Sequence, residues 1–142
     1  MTESEQNKGI AAVLASFREQ EAMRLIRATM PHAGKGTVEI HVPYWTGITQ
    51  QHGFVHGGVV GMIADSAAGY AAMTVAPAGT SVLTVEYKIN FMAPASGTTL
   101  VARGCVLRSG RTLIVTQADV FAVTDERETQ CARMQQTIMV IA

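Results

Sequence analysis

The sequence predicts an α+β fold: an antiparallel β-sheet wrapped around a central Ala-rich helix, with an additional N-terminal helix. Three observations carry that expectation. Residues 57–79 read GGVVGMIADSAAGYAAMTVAPAG, a stretch of helical length that is apolar on nearly every side and so suits a buried helix. From Leu83 to Ile141 four successive runs alternate apolar and polar residues, separated by short Gly-, Pro- or Ser-containing turns. Finally, 142 residues suffice for one sizeable core and are too few for two ordinary domains.

Taken in order, residues 1–8 are polar and read as a flexible tail, leaving a single domain over residues 9–142. Ile10, Val13, Leu14 and Phe17 recur at helical spacing, and Leu25 and Ile26 extend that helix toward Met30. Pro31 and Gly34-Lys35-Gly36 end it. Val38, Ile40 and Val42 alternate with Glu39 and His41 in a half-buried strand stopped by Pro43. An irregular loop, Tyr44 to Val55, leads to His56-Gly57-Gly58 and the Ala-rich helix, which breaks at Pro77-Ala78-Gly79. Next, Leu83, Val85, Tyr87, Ile89 and Phe91 alternate with Thr84, Glu86, Lys88 and Asn90. Pro94 and Gly97 turn into a strand over Thr98–Leu107, Ser109-Gly110 turns into Leu113–Val123, and Thr124–Glu128 turns into Thr129–Ile141. Consecutive strands with short turns imply an antiparallel meander.

Composition excludes several classes. A formal net charge of zero argues against a nucleic-acid binder. The opening MTESEQNKG has no apolar core of a secretory signal. Asp65, in the middle of the apolar run, would cost about 2.5–3.5 kcal/mol in a bilayer, so no membrane span is expected. Cys105 and Cys131 lack metal-ligand spacing, and no His/Cys/Asp cluster has it either, so the expectation is no metal, no cofactor, and two reduced thiols in a cytoplasmic protein. The low charged fraction hints at surface lost to a partner subunit.

The chemistry-bearing residue is Asp65, the only charge between Gly57 and Gly79. An unpaired carboxylate in a buried helix costs several kcal/mol or takes up a proton. His56-Gly57-Gly58 stands where the helix begins and offers free backbone N–H groups. A buried acid and an anion-binding helix end together suit attack on an activated carbonyl.

Three segments, Gln50-Gln51-His52-Gly53-Phe54-Val55-His56-Gly57-Gly58, Ala64-Asp65, and Lys88-Ile89-Asn90-Phe91-Met92-Ala93-Pro94-Ala95, resemble the hot-dog-fold acyl-CoA thioesterases, most of all their phenylacetate-degradation (PaaI-like) branch. The resemblance runs from about Val38 to the C-terminus and leaves the N-terminal helix outside. It implies hydrolysis of a small aryl- or medium-chain acyl-CoA to free acid and CoA. Asp65 would act as nucleophile or general base, with the Gly57 N–H, joined by Gly58, as oxyanion contact. Gln50 would orient water or polarise the carbonyl, Thr84 would position water, and His56 would hold the start of the helix. Some relatives carry Thr or Ser one turn after the acid; here that position is Gly69, and Ser66 is expected to face elsewhere on the helix. CoA phosphates would meet Arg108, Gly110 and Arg111, with Lys88 as a further candidate, and Phe54, Val59 and Met62, with Met73, would line the acyl pocket. Gly57 and Asp65 lie eight residues apart, about 12 Å on a straight helix, so one thioester carbon cannot reach both in one chain. A homodimer with two composite sites follows if both act, and this fold commonly pairs further into a homotetramer. Two other functions fit the same frame: a non-catalytic acyl-CoA binding module and a hot-dog enoyl-CoA hydratase/dehydratase.

Overall fold

The computed structural model describes all residues, 1–142. The expected tail is helical instead: α1 spans Glu3–Glu19. Thr2 and Glu5 form a capping box, the Glu5 N–H donating to Thr2 Oγ1 and the Thr2 N–H to Glu5 Oε2, and this fixes the helix start before any apolar residue appears. The single helix expected to run toward Met30 is also divided. Gln20 is extended, a short α2 covers Glu21–Leu25, and Arg27 then reverses the chain at φ 64°. Met30 and Pro31 belong to an unexpected first strand, β1 (Thr29–Gly34). Its register with the next strand slips between Thr29 and His32, where Pro31 has no N–H to give, and it sits at the sheet edge, where a proline is tolerated.

The remaining elements are β2 (Thr37–Pro43), α3 (Gly57–Met73), β3 (Ser81–Phe91), β4 (Thr99–Ser109), β5 (Leu113–Thr124) and β6 (Arg127–Ile141). They form one antiparallel sheet in the order β1-β2-β4-β5-β6-β3. Only β4-β5-β6 is the expected meander. β3 pairs with β6 rather than β4, because the Pro94–Gly97 segment does not fold back on β3. The Ala95 carbonyl accepts from the Val55 N–H and the Thr98 carbonyl from the Tyr44 N–H, which ties that segment to the loop before α3.

Helix α3 lies in the concave side of the sheet. Its Ala64, Ala67, Ala68 and Ala71 are fully buried, and they permit an unusually close approach. A Cβ built on Gly104 of β4 would stand 2.3 Å from the Ala67 carbonyl oxygen, so only glycine fits there. α1 closes one flank, with Val13 buried and Phe17 edge-on to Tyr70 at 6.0 Å. The helix ends at Met73, earlier than the Pro77 break; Thr74 Oγ1 donates to the Ala71 carbonyl and accepts the Gly36 N–H, holding the chain as it leaves. At the other end His56 is the N-cap: its Nδ1 accepts the Gly58 N–H at 2.8 Å. No helix is long and apolar enough to cross a membrane.

The convex face of the sheet carries charge. Arg103 donates to Glu39 at 3.2 Å and to both Glu128 oxygens at 2.6 and 3.0 Å, and its guanidinium lies 4.8 Å from the centre of the Phe121 ring. Burial raises the Glu39 carboxyl, but hydrogen bonds from His41 and Arg103 outweigh it and hold it below the usual range. The Arg103 hydrogen bond lowers Glu128 as well.

Both carboxyls are lowered in the folded state, so their contribution is present above the unfolded value of 4.5 and lost as pH falls through the folded values. Arg103→Ala should therefore destabilise near neutral pH by less than about 1 kcal/mol, these side chains being partly solvated. Denaturant titrations of the two proteins should converge once the carboxyls are protonated; a gap that persists in acid would count against ion pairing as its cause. The cap gives a second expectation: His56→Ala should cost about 1 kcal/mol and His56→Asn much less, since Asn caps well. Equal losses in urea melts would remove capping as the role of His56.

Candidate active site

The glycine turn at the start of α3 leaves one donor available. The Gly58 N–H is taken by His56 Nδ1, and the Val59 and Val60 N–H groups both reach the His56 carbonyl, at 2.9 and 3.1 Å. The Gly58 N–H is thus engaged in the cap, and the Gly57 N–H remains, at the positive end of the helix dipole. With its Nδ1 accepting, the neutral His56 ring carries its proton on Nε2. The Gly57 end opens into a largely apolar cavity walled by Gln50, Phe54, Phe91, Pro94 and Cys131. Gln50 Oε1 accepts the His52 N–H at 2.5 Å and so also braces its own loop. Burial pushes the Cys131 thiol up to about 11, which keeps it protonated and unreactive.

Asp65 sits two turns further along, and its surroundings depend on an irregularity in β3. Thr84 pairs with Ile138 while Glu86 pairs with Thr137, so Val85 is an extra residue, a β-bulge. Strict alternation puts Thr84 and Tyr87 on opposite faces; the bulge resets the phase, and both point inward. Thr84 Oγ1 donates to Asp65 Oδ1 at 2.7 Å, so it holds the carboxylate directly. The same Oδ1 accepts Gln136 Nε2 of β6, and Gln136 Nε2 also lies 3.2 Å from Thr84 Oγ1. Gln136 is buried, and its Oε1 accepts Thr116 Oγ1 of β5 at 3.1 Å. Asp65 Oδ2 has no hydrogen-bond partner; because the residue is only half-buried and no buried side-chain oxygen lacks one, Oδ2 faces open space.

That space is a cavity of about 220 Å³ lined by Ser16, Gln20, Asp65, Ser66, Tyr70 and Thr84 among others. Ser66 does not face elsewhere: it joins this cavity, 3.5 Å from Gln20 Oε1. The hydroxyl of Tyr70 accepts from Gln20 Nε2 at 2.9 Å and lies 3.2 Å from Ser16 Oγ, so α1 supplies a polar wall. A Cβ on Gly69 would meet nothing within 4 Å, which leaves the cavity open at that turn.

The other candidates are dispersed. Phe54 lines the Gly57 cavity and Met73 the Asp65 cavity, whereas Val59 and Met62 pack against the central core and line neither. Lys88 stands on the convex face beside Glu86, Gln117 and Arg133, on the side of the sheet away from Asp65. Arg108 and Arg111 are exposed and form no ion pair. Gly110 is required by the hairpin itself: its N–H donates to the Leu113 carbonyl, and a Cβ there would come within 2.6 Å of that oxygen. Gln136, Thr116, Ser16 and Gln20 escaped the sequence reading. For the first two the signal was present, since each is polar at a position where Ala132, Met134 and Ile138, or Ile114, Ala118 and Val120, mark the inward face.

The sequence model of the Thioesterase superfamily matches residues 52–129. A crystal structure of a thioesterase family protein from Silicibacter pomeroyi is 41% identical, covers 91% of this chain and 95% of its own, and superposes with a TM-score of 0.89. The PaaI protein of the Escherichia coli phenylacetic acid degradation operon shares the fold, with a TM-score of 0.84 over 99% and 97% of the two chains at 18% identity. The Saccharolobus solfataricus protein SSO2140 is 38% identical over 85 residues, and the match spans 60% of each chain's length. Matched over more than half its length by the family model, and over nearly all of it by a 41% identical member, the chain belongs to the Thioesterase superfamily and so to the thioester hydrolases.

Proposed function

We propose that the protein hydrolyses a small aryl- or medium-chain acyl-CoA to free acid and CoA, in composite sites shared by two copies of the chain. The observation that carries this reading is the separation of its two halves. The Gly57 N–H and Asp65 lie on one continuous helix, about 12 Å apart, and open into different cavities. Neither cavity alone holds both Asp65 and the Gly57 N–H. β3 supplies a route to a partner: it is an edge strand bearing the exposed apolar side chains Leu83, Val85, Tyr87 and Phe91. A second copy added antiparallel across it, about a two-fold axis, would bring Gly57 of one α3 beside Asp65 of the other.

In that site the thioester oxygen takes the Gly57 N–H, and the developing negative charge is stabilised by the helix end. Asp65 Oδ2 of the partner copy then attacks the carbonyl carbon, or removes a proton from the water that does. On the first route the C–S bond breaks to leave a mixed anhydride on Asp65, which water then opens to the free acid and the restored carboxylate. On the second the water oxygen takes the acyl group as the C–S bond breaks, and on both routes the CoA sulfur leaves with a proton that derives from water. Support for CoA comes from the Bacillus halodurans protein BH2602, which was crystallised with CoA and shares the fold at a TM-score of 0.77 and 23% identity, over 97% and 87% of the two chains. The basic Arg108–Arg111 turn also stands near the Asp65 cavity. The Thr112 carbonyl accepts the Val140 N–H, and Val140 pairs with Val82 on the cavity wall. Exposed Leu107, Leu113 and Met139 on the convex face favour a further pairing into a tetramer. Two free cysteines agree with a reducing cytoplasm.

Release of CoA from phenylacetyl-, benzoyl-, hexanoyl- and decanoyl-CoA tests the reading. At least one should be cleaved, and Asp65→Asn should lose about a hundredfold or more, about 2.7 kcal/mol of barrier. No cleavage by the wild type removes this reading, and an unchanged Asn variant removes Asp65 from the chemistry. Subunit mixing tests the composite site separately. Gly57→Pro deletes the N–H while suiting the first position of a helix. Each variant alone should be inactive, but after denaturation and refolding together they should recover about a quarter of wild-type activity, because half the dimers regain one intact site. Failure to complement, with dimers verified, would mean that each chain carries a complete site.

A further inference from the structure

Gln136 lies outside every segment that carries the family resemblance, is fully buried, and touches the carboxylate from the strand opposite Thr84. We propose that Gln136, locked by Thr116, is the positioning residue that turns Asp65 so that Oδ2 alone meets substrate or water. This rests on the hydrolase reading above.

Three features of the geometry support it. First, both donors converge on one oxygen: Thr84 Oγ1 and Gln136 Nε2 each donate to Asp65 Oδ1, and Oδ2 receives neither. The two donors come from β3 and β6, on either side of a cross-strand pairing, so the carboxylate is held from two backbone frames rather than one. Second, the amide can face only one way. Exchanging its oxygen and nitrogen would set Oε1 against a carboxylate oxygen; in the orientation present, Oε1 accepts the hydroxyl of Thr116 at 3.1 Å from behind. Thr116 and Gln136 are direct partners in the β5–β6 register, so the sheet itself fixes their spacing. Third, a buried glutamine in a row of apolar residues is unfavourable unless its hydrogen bonds are made. Those of Gln136 are made with Thr116, Thr84 and Asp65 together.

A residue acting only through Asp65 has a signature that general packing lacks. Gln136→Leu and Thr116→Val should each lower kcat by about tenfold or more with KM changed less than about twofold, within the range that misplacing a catalytic group produces. Thr116→Ser, which keeps the hydroxyl, should restore kcat. In an Asp65→Asn background Gln136→Leu should have no further effect on the residual rate. The Asp65 carboxyl carbon resonance, recorded with 13C-labelled aspartate and assigned by its absence in Asp65→Asn, should move in Gln136→Leu and Thr116→Val and return in Thr116→Ser. The proposal is overturned if Gln136→Leu leaves kcat intact, if it slows the Asp65→Asn protein as much as the wild type, or if the resonance stays put. A wild type that cleaves no thioester overturns the hydrolase reading instead, and the resonance then still decides whether Gln136 holds the carboxylate.

Discussion

The distance between α3 and β4 governs much of this structure. At Gly104 there is no room for even a methyl group, and the facing helix surface is correspondingly alanine at 64, 67, 68 and 71. A helix seated that deeply loses nearly all contact with water along one side. The opposite side, with Met62, Asp65, Ser66, Gly69 and Met73, cannot be covered by the same sheet and stays half-open. The carboxylate therefore stands on the boundary between a fully dry face and an unfinished one, not in the centre of the core.

That boundary explains how a charge is kept in an Ala-rich helix. Asp65 is neither stranded nor ion-paired; two neutral donors satisfy one oxygen, and the other keeps access to solvent. Neutral donors leave the negative charge in place, whereas an arginine partner would compete with any electrophile that approached. The start and the middle of α3 are thus differently furnished. One presents an N–H in an apolar cavity, the other a carboxylate in a cavity edged with hydroxyl and amide groups from α1, α3 and β3. The N-terminal helix belongs to the second, through Ser16 and Gln20 on Tyr70 and Ser66.

Much of this was legible in the residues. The central helix, the strands from Leu83 onward and the place of Asp65 on that helix follow from hydrophobic patterning and from one charge in an apolar run. What could not be read were features decided by pairing. Pro31 disguised β1 because an edge strand tolerates what an inner strand does not. The polar opening of the chain hid a helix whose start depends on Thr2 and Glu5 rather than on apolar residues. The placement of β3 beside β6 is a crossover that turn chemistry alone does not encode. Gln136 was passed over because Gln135-Gln136-Thr137 looks like a polar stretch until strand parity is known. Its register with Thr116 shows which of the three is inside.

The bulge at Val85 makes β3 two short strands set in opposite phase. In the segment before it, the even-numbered positions Val82 and Thr84 look toward the helix; in the segment after it, the odd-numbered Tyr87, Ile89 and Phe91 do. Each segment then serves a different part of α3, Thr84 the carboxylate at its middle and Phe91 the glycine turn at its start. Side-chain changes on one segment leave the parity of the other untouched, so the surroundings of the acid and of the glycine turn can vary independently along a single continuous strand.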